Sequence, residues 1–131
     1  MPPAEIPPAT LAQARCAQAA RNNAIWCDTV CRAHGLQAEW LPTAWRLRVP
    51  PPPFHSNLVF TDLSDRDTAL ALIRELQQNP PMPRWSLKDS YCRLDLGALG
   101  FAPLFDATWI WREAQAGPVP GGAGEHGVAR V

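Results

Sequence analysis

Residues 44–79, AWRLRVPPPPFHSNLVFTDLSDRDTALALIRELQQN, carry the pattern that sets the fold class. Trp45, Leu47 and Val49 alternate with Ala44, Arg46 and Arg48, the period of a half-buried strand. The four prolines Pro50–Pro53 lack backbone donors and fix φ, so they stop that strand and force an extended connector. Asn57–Thr61 then supplies a second short apolar strand. Ser64 is placed to cap a helix, with Asp65 and Asp67 near the positive end of its dipole. Ala69, Leu72, Ile73 and Leu76 recur at helical spacing as its buried face, and Asn79-Pro80-Pro81 ends it.

On the N-terminal side, Thr10 and Gln13 have the spacing of a capping box. An alanine-rich helix follows from Leu11, and Gly35 supplies its stop after His34. Ala20, Ala24, Cys27, Cys31 and His34 fall on one stripe of that helix. Asn22-Asn23, mediocre helix formers, mark either a kink or the start of its packed portion. On the C-terminal side, a third strand is expected over Trp85–Cys92 and a fourth over Leu104–Trp111. The order predicts an α+β fold, an α/β sandwich with a mostly antiparallel four-stranded sheet packed by two helices. Three parts are expected: a flexible proline-rich arm (1–9), one domain (10–114) and a Gly/Pro-rich linker or tail (115–131). There are no internal repeats.

At 131 residues the chain suits one domain. Six tryptophans against one tyrosine give a small core large contact areas. Twelve basic and twelve acidic residues cancel, which removes the electrostatic footprint of nucleic-acid or anionic-lipid binding. No apolar run reaches the ~18–20 residues that span a bilayer, and MPPAEIPPAT lacks both regions of a secretory signal. Cytoplasmic localisation is therefore expected, with the four cysteines (Cys16, Cys27, Cys31, Cys92) as thiols.

Several constellations bear on chemistry. Cys27, Cys31 and His34 share a helix face and include zinc-ligand types, but structural zinc needs four ligands. Buried thiols explain the cysteines better, and the helix dipole explains His34, so no metal is expected. Gly122–Gly127 matches G-x-G-x-x-G but has no strand before it and no helix after it, so it cannot cradle a pyrophosphate. Lys88-Asp89-Ser90 forms a polar island on the third strand, and buried charge there must be paired. Asp89 or Ser90 could contact a ligand or act as a base. Alternatively Asp89 pairs with Arg93 or Arg46, or caps a turn, while Lys88 snorkels outward; this second reading is favoured. Trp109 and Trp111 share one strand face and are the candidate interface.

The segments NNAIWCD (22–28), CRAHG (31–35), SLKDS (86–90), LDL (94–96), Gly100-Phe101, LFDA (104–107) and Trp109-Ile110 together resemble a group of bacterial GNAT-type acetyltransferases and GNAT-like proteins. The resemblance is to their N-terminal half and covers about residues 20–112. It implies a GNAT-like lobe, followed in such proteins by a loose linker and a second half. It also implies acetyl-CoA as the family's cofactor, held by a Q/R-x-x-G-x-G/A loop between a strand and a helix. No segment here has that loop in that context. The expectation is thus an accessory or substrate-side lobe without its own pyrophosphate loop, or a stand-alone binding or dimerisation module. The expected partner is a C-terminal GNAT half or a second copy of the chain.

Overall fold

A computed structural model describes residues 8–110, 112 and 126–131. In chain order the elements are α1 (Pro8–Ala33), β1 (Glu39–Trp40), β2 (Ala44–Arg46), β3 (Leu58–Phe60), α2 (Arg66–Gln78), β4 (Leu87–Lys88), a 3-10 turn (Gly97–Leu99), β5 (Asp106–Ile110) and β6 (His126–Arg130). Two helices, a four-stranded sheet and a two-stranded ribbon make this a mixed α+β architecture.

The sheet runs β1-β2-β3-β4. Its first two pairings are antiparallel, but β3 and β4 are parallel, so the sheet is mixed rather than mostly antiparallel. The cause is α2, which returns the chain to the end of the sheet from which β3 began; such a crossover yields a parallel neighbour. The strand expected near Leu104–Trp111 leaves this sheet altogether. As β5 it pairs antiparallel with β6, with Asp106 opposite Arg130 and Ile110 opposite His126. Residues 126–131 thus end the stretch read as linker or tail in a paired strand. Residues 1–7, Trp111 and 113–125 lie outside the described residues.

Strand alternation sorts the core onto two faces. Leu58, Phe60 and Ala44 meet Ala69, Ile73 and Leu76 of α2, together with Leu87 and Leu94. Val59, Trp45 and Leu47 meet Ala24, Cys27 and Cys31 of α1. Helices on both sides explain why β2 and β3 are buried throughout, where a half-buried strand was expected. Arg46 is buried on the α2 face and is held by Glu39 of β1 at 2.7 Å and Glu75 of α2 at 3.1 Å.

The ends of α1 follow local chemistry unevenly. The helix begins at Pro8, so Thr10 lies inside it and makes no capping box. Its C-terminus closes as a Schellman motif: Leu36 N–H donates to the Cys31 carbonyl at 2.9 Å and Gly35 N–H to Arg32 at 3.0 Å. Gly35 takes φ 75°, which only glycine adopts without strain. Asn22 and Asn23 interrupt nothing. Among the described residues no helix is long and apolar enough to cross a membrane.

The backbones of the sheet and the ribbon meet at Asp89. Asp89, just past β4, exchanges both backbone hydrogen bonds with Arg130 of β6, at 2.8 and 2.9 Å. Beyond it, Val131 and Phe105 bond each other's main chains.

Candidate functional site

The polar island 88–90 turns out to be three side chains with three separate tasks. Asp89 is buried, and its carboxylate accepts from Tyr91 N–H at 3.3 Å and Leu94 N–H at 2.7 Å. It therefore organises the turn after β4, in which Cys92 N–H reaches the Asp89 carbonyl and Cys92 sits at φ 52°. Ser90, fully buried, donates its hydroxyl to the Phe60 carbonyl. The Asp89 carboxylate is thus taken up by the turn, and the Ser90 hydroxyl holds the end of β4 against β3.

Lys88 points the other way, toward α1, rather than snorkelling outward. Its Nζ donates to Asn23 Oδ1 at 2.6 Å and lies 5.9 Å from the centre of the Trp109 ring. Trp109 in turn donates Nε1 to the Ser90 carbonyl at 2.8 Å. Among the described residues no carboxylate pairs with Lys88. Desolvation lowers its pKa, opposed by the nearby Cys27 thiol. Desolvation likewise raises Cys27 and Cys31, which keeps them as neutral thiols of low nucleophilicity. Cys31 is wholly buried while His34 lies exposed past the last helical turn. Among the described residues no group of three or more His, Cys, Asp or Glu side chains could hold a metal.

A cleft opens on the opposite side of β4. It measures about 1050 Å³, the upper end of the range for ligand pockets. One wall is the proline connector 51–53 with Phe54 and His55, the other is the segment 94–104, and Trp85–Leu87 lie between. Trp85 and Phe101 meet edge to face, with ring centres 5.2 Å apart. Two features mark the cleft as more than a packing gap. Asn57 is 1% exposed; its Nδ2 donates to the Leu47 and Val49 carbonyls at 3.0 Å each, yet its Oδ1 has no partner. Phe54, fully exposed on the rim, is held at φ 69° in the turn closed by His55 N–H on the Pro52 carbonyl.

An acetyl-CoA pyrophosphate does not fit the start of α2, the helix that follows β3. The β3–α2 loop, Thr61-Asp62-Leu63-Ser64-Asp65, contains no glycine. The cap of α2 is Asp65 rather than Ser64. Its Oδ1 accepts from Asp67 and Thr68 N–H at 3.1 and 3.3 Å, and its Oδ2 from the Thr68 hydroxyl at 2.7 Å. Those Thr68 bonds hold the Asp65 carboxyl below its usual range. Asp62 takes Ser64 N–H at 2.7 Å. The donors that would meet phosphate oxygens are filled by the chain's own carboxylates, and three acidic residues repel an anion.

No protein-family model, curated protein or solved structure matches the chain.

Sequence reading took Lys88-Asp89-Ser90 and Trp109 as separate candidates; the structure brings them together through the Trp109 bond to the Ser90 carbonyl and the Trp109 ring near Lys88, and sequence reading missed the cleft. The connector was read as a spacer only, although an aromatic directly after four prolines is itself a signal of a fixed, projecting side chain. The positive φ of Phe54 and the orphaned Asn57 oxygen have no signature in residue type.

Proposed function

We propose that this chain is a binding lobe resembling the N-terminal half of GNAT-type acetyltransferases, one that does not acetylate by itself. The observation that carries the second clause is the α2 N-terminus, closed by the Asp65 side chain where an acyl-donor pyrophosphate would have to bind. The resemblance in residues 20–112 supports the lineage. The loop between β3 and α2 contains no glycine, in keeping with a lobe that lacks the family's pyrophosphate loop.

A lobe of this kind works with a partner: a second half of the same family, or another copy of the chain. Trp109 is committed internally, to Ser90 and Lys88, and Trp111 lies outside the described residues. Exposed apolar side chains suited to such a contact are instead Ile25 and Trp26 on α1 and Trp40 on the edge strand β1.

Titration calorimetry of the chain with acetyl-CoA tests the reading. We expect no binding at micromolar concentrations. A micromolar dissociation constant that is lost on substituting residues of the 61–65 loop overturns it.

A further inference from the structure

The β5–β6 ribbon carries the sheet outward to a new edge. Asp89, past β4, pairs with Arg130 of β6, and β6 pairs with β5, so β5 is the outermost of these strands. Phe105 and Val131 exchange backbone hydrogen bonds. Antiparallel neighbours alternate between bonded and non-bonded pairs. Ala107 and Trp109 therefore bond toward β6, while Asp106, Thr108 and Ile110 turn their N–H and C=O groups outward. Among the described residues nothing meets those outward groups. The side chains are as open as the backbone: Leu104, Phe105 and Ile110 are 70%, 57% and 80% exposed.

Edge strands are commonly guarded by proline, lysine or a bulge. Residues 105–110 contain no proline, glycine or lysine, and the register with β6 runs without a bulge from Asp106 to Ile110. The one charge on the strand, Asp106, is already met by Arg130 at 2.7 and 3.1 Å. The order of the side chains then says which neighbour fits. Leu104-Phe105-Asp106-Ala107-Thr108-Trp109-Ile110 reads aliphatic, aromatic, polar, alanine, polar, aromatic, aliphatic, the same character from either end. An antiparallel partner meets a strand from its opposite end, so a pattern symmetric about Ala107 is matched by its own copy.

We propose that β5 pairs antiparallel with β5 of a second copy, about a two-fold axis at Ala107. Leu104 then lies opposite Ile110 of the other copy, Phe105 opposite Trp109, and Asp106 opposite Thr108, while the small Ala107 meets itself on the axis. Asp106 and Thr108 both bond outward, so this register joins their main chains. Phe105 and Trp109 fall in one of the closer, non-bonded pairs, where aromatic side chains stabilise each other. A two-fold contact of this kind closes on itself and stops at a dimer. The pairing chooses the second copy from the two partners named for the lobe and uses a surface other than Ile25, Trp26 and Trp40. Its failure would leave the acetyl-CoA reading untouched.

Sedimentation equilibrium of the whole chain, from about 1 μM to about 1 mM, reads the association, and we expect dimers within that range. Thr108→Pro deletes an outward N–H that β6 does not use. It should weaken dimerisation by about tenfold or more, with little change in melting temperature. Ala107→Lys and Ala107→Glu each bring like charges together on the axis and should weaken it similarly, whereas an equimolar mixture of the two should recover dimers. In the wild type, the Thr108 amide should exchange about tenfold more slowly at about 1 mM than after about twentyfold dilution, while the Ala107 amide stays protected at both. A chain still monomeric at about 1 mM overturns the proposal. So does dimerisation unchanged in Thr108→Pro, which would put the contact on another surface. A Lys–Glu mixture that stays monomeric overturns the two-fold register at Ala107, and the proposal with it.

Discussion

Lys88 enters the α1 side of the sheet with an amide oxygen and an indole ring as the groups that meet its charge. Neither neutralises it, so burial of the ammonium is a standing cost. Replacing it by a similar apolar chain should relieve that cost. We expect Lys88→Met to raise stability at neutral pH by roughly 0.5–2 kcal/mol, measured by urea unfolding. The pH profile gives a second readout. Folding lowers the Lys88 pKa, so between the folded value and that of a free lysine the unfolded chain holds the extra proton. Stability contributed by this residue therefore rises with pH across that window. The raised thiols of Cys27 and Cys31 act oppositely: above the ordinary thiol range the unfolded chain ionises first, and stability falls. With Lys88 gone, only the falling contribution remains. Lys88→Met should lose stability more steeply than the wild type from about pH 9 upward. Parallel profiles would mean that Lys88 is already solvated.

Among the elements, α2 was the most legible in sequence and also instructive where its reading failed. Its buried residues Ala69, Ile73 and Leu76 and its end at Asn79 follow from spacing and from the Asn-Pro-Pro stop. The cap moved one residue, from Ser64 to Asp65, because both types suit the position. Only the reach to the N–H groups two and three residues on separates them. Asp65→Ala removes those acceptors, and we expect the melting temperature to fall by about 2–8 °C. Ser64→Ala should leave it nearly unchanged, and the reverse order would restore Ser64 as the cap. The Schellman closure at Gly35 was legible for the same local reason. The β5–β6 pairing was not. HGVAR follows a glycine-rich run, its own alternation is faint, and its partner lies in a distant segment that residue types alone do not designate. The parallel register of β4 was likewise hidden, since two apolar residues specify no direction. At the candidate site, burial of Asp89 and Ser90 was readable from their apolar neighbours. The cleft depends on backbone angles and on one unsatisfied oxygen, which are not.

For the whole molecule, the exchange of backbone bonds between Asp89 and Arg130 makes one continuous hydrogen-bonded surface of sheet and ribbon. Arg130→Pro deletes the N–H that meets the Asp89 carbonyl and disfavours the strand. We expect the melting temperature to fall by about 5 °C or more. Exchange at the Asp89 amide should accelerate, while amides of α1 remain protected. Uniform acceleration would mean that ribbon and sheet unfold as one unit, so that the link is not a local one.

The same link has a temporal side. A chain is made from its N-terminus, and Arg130 leaves the ribosome about forty residues after Asp89, a delay of roughly two to eight seconds at 5–20 residues per second. Throughout that interval the outer side of β4 stands bare on a nascent polypeptide, at the time when neighbouring chains and chaperones are closest. The birth of this protein thus passes through a form with a longer exposed margin than the finished molecule presents.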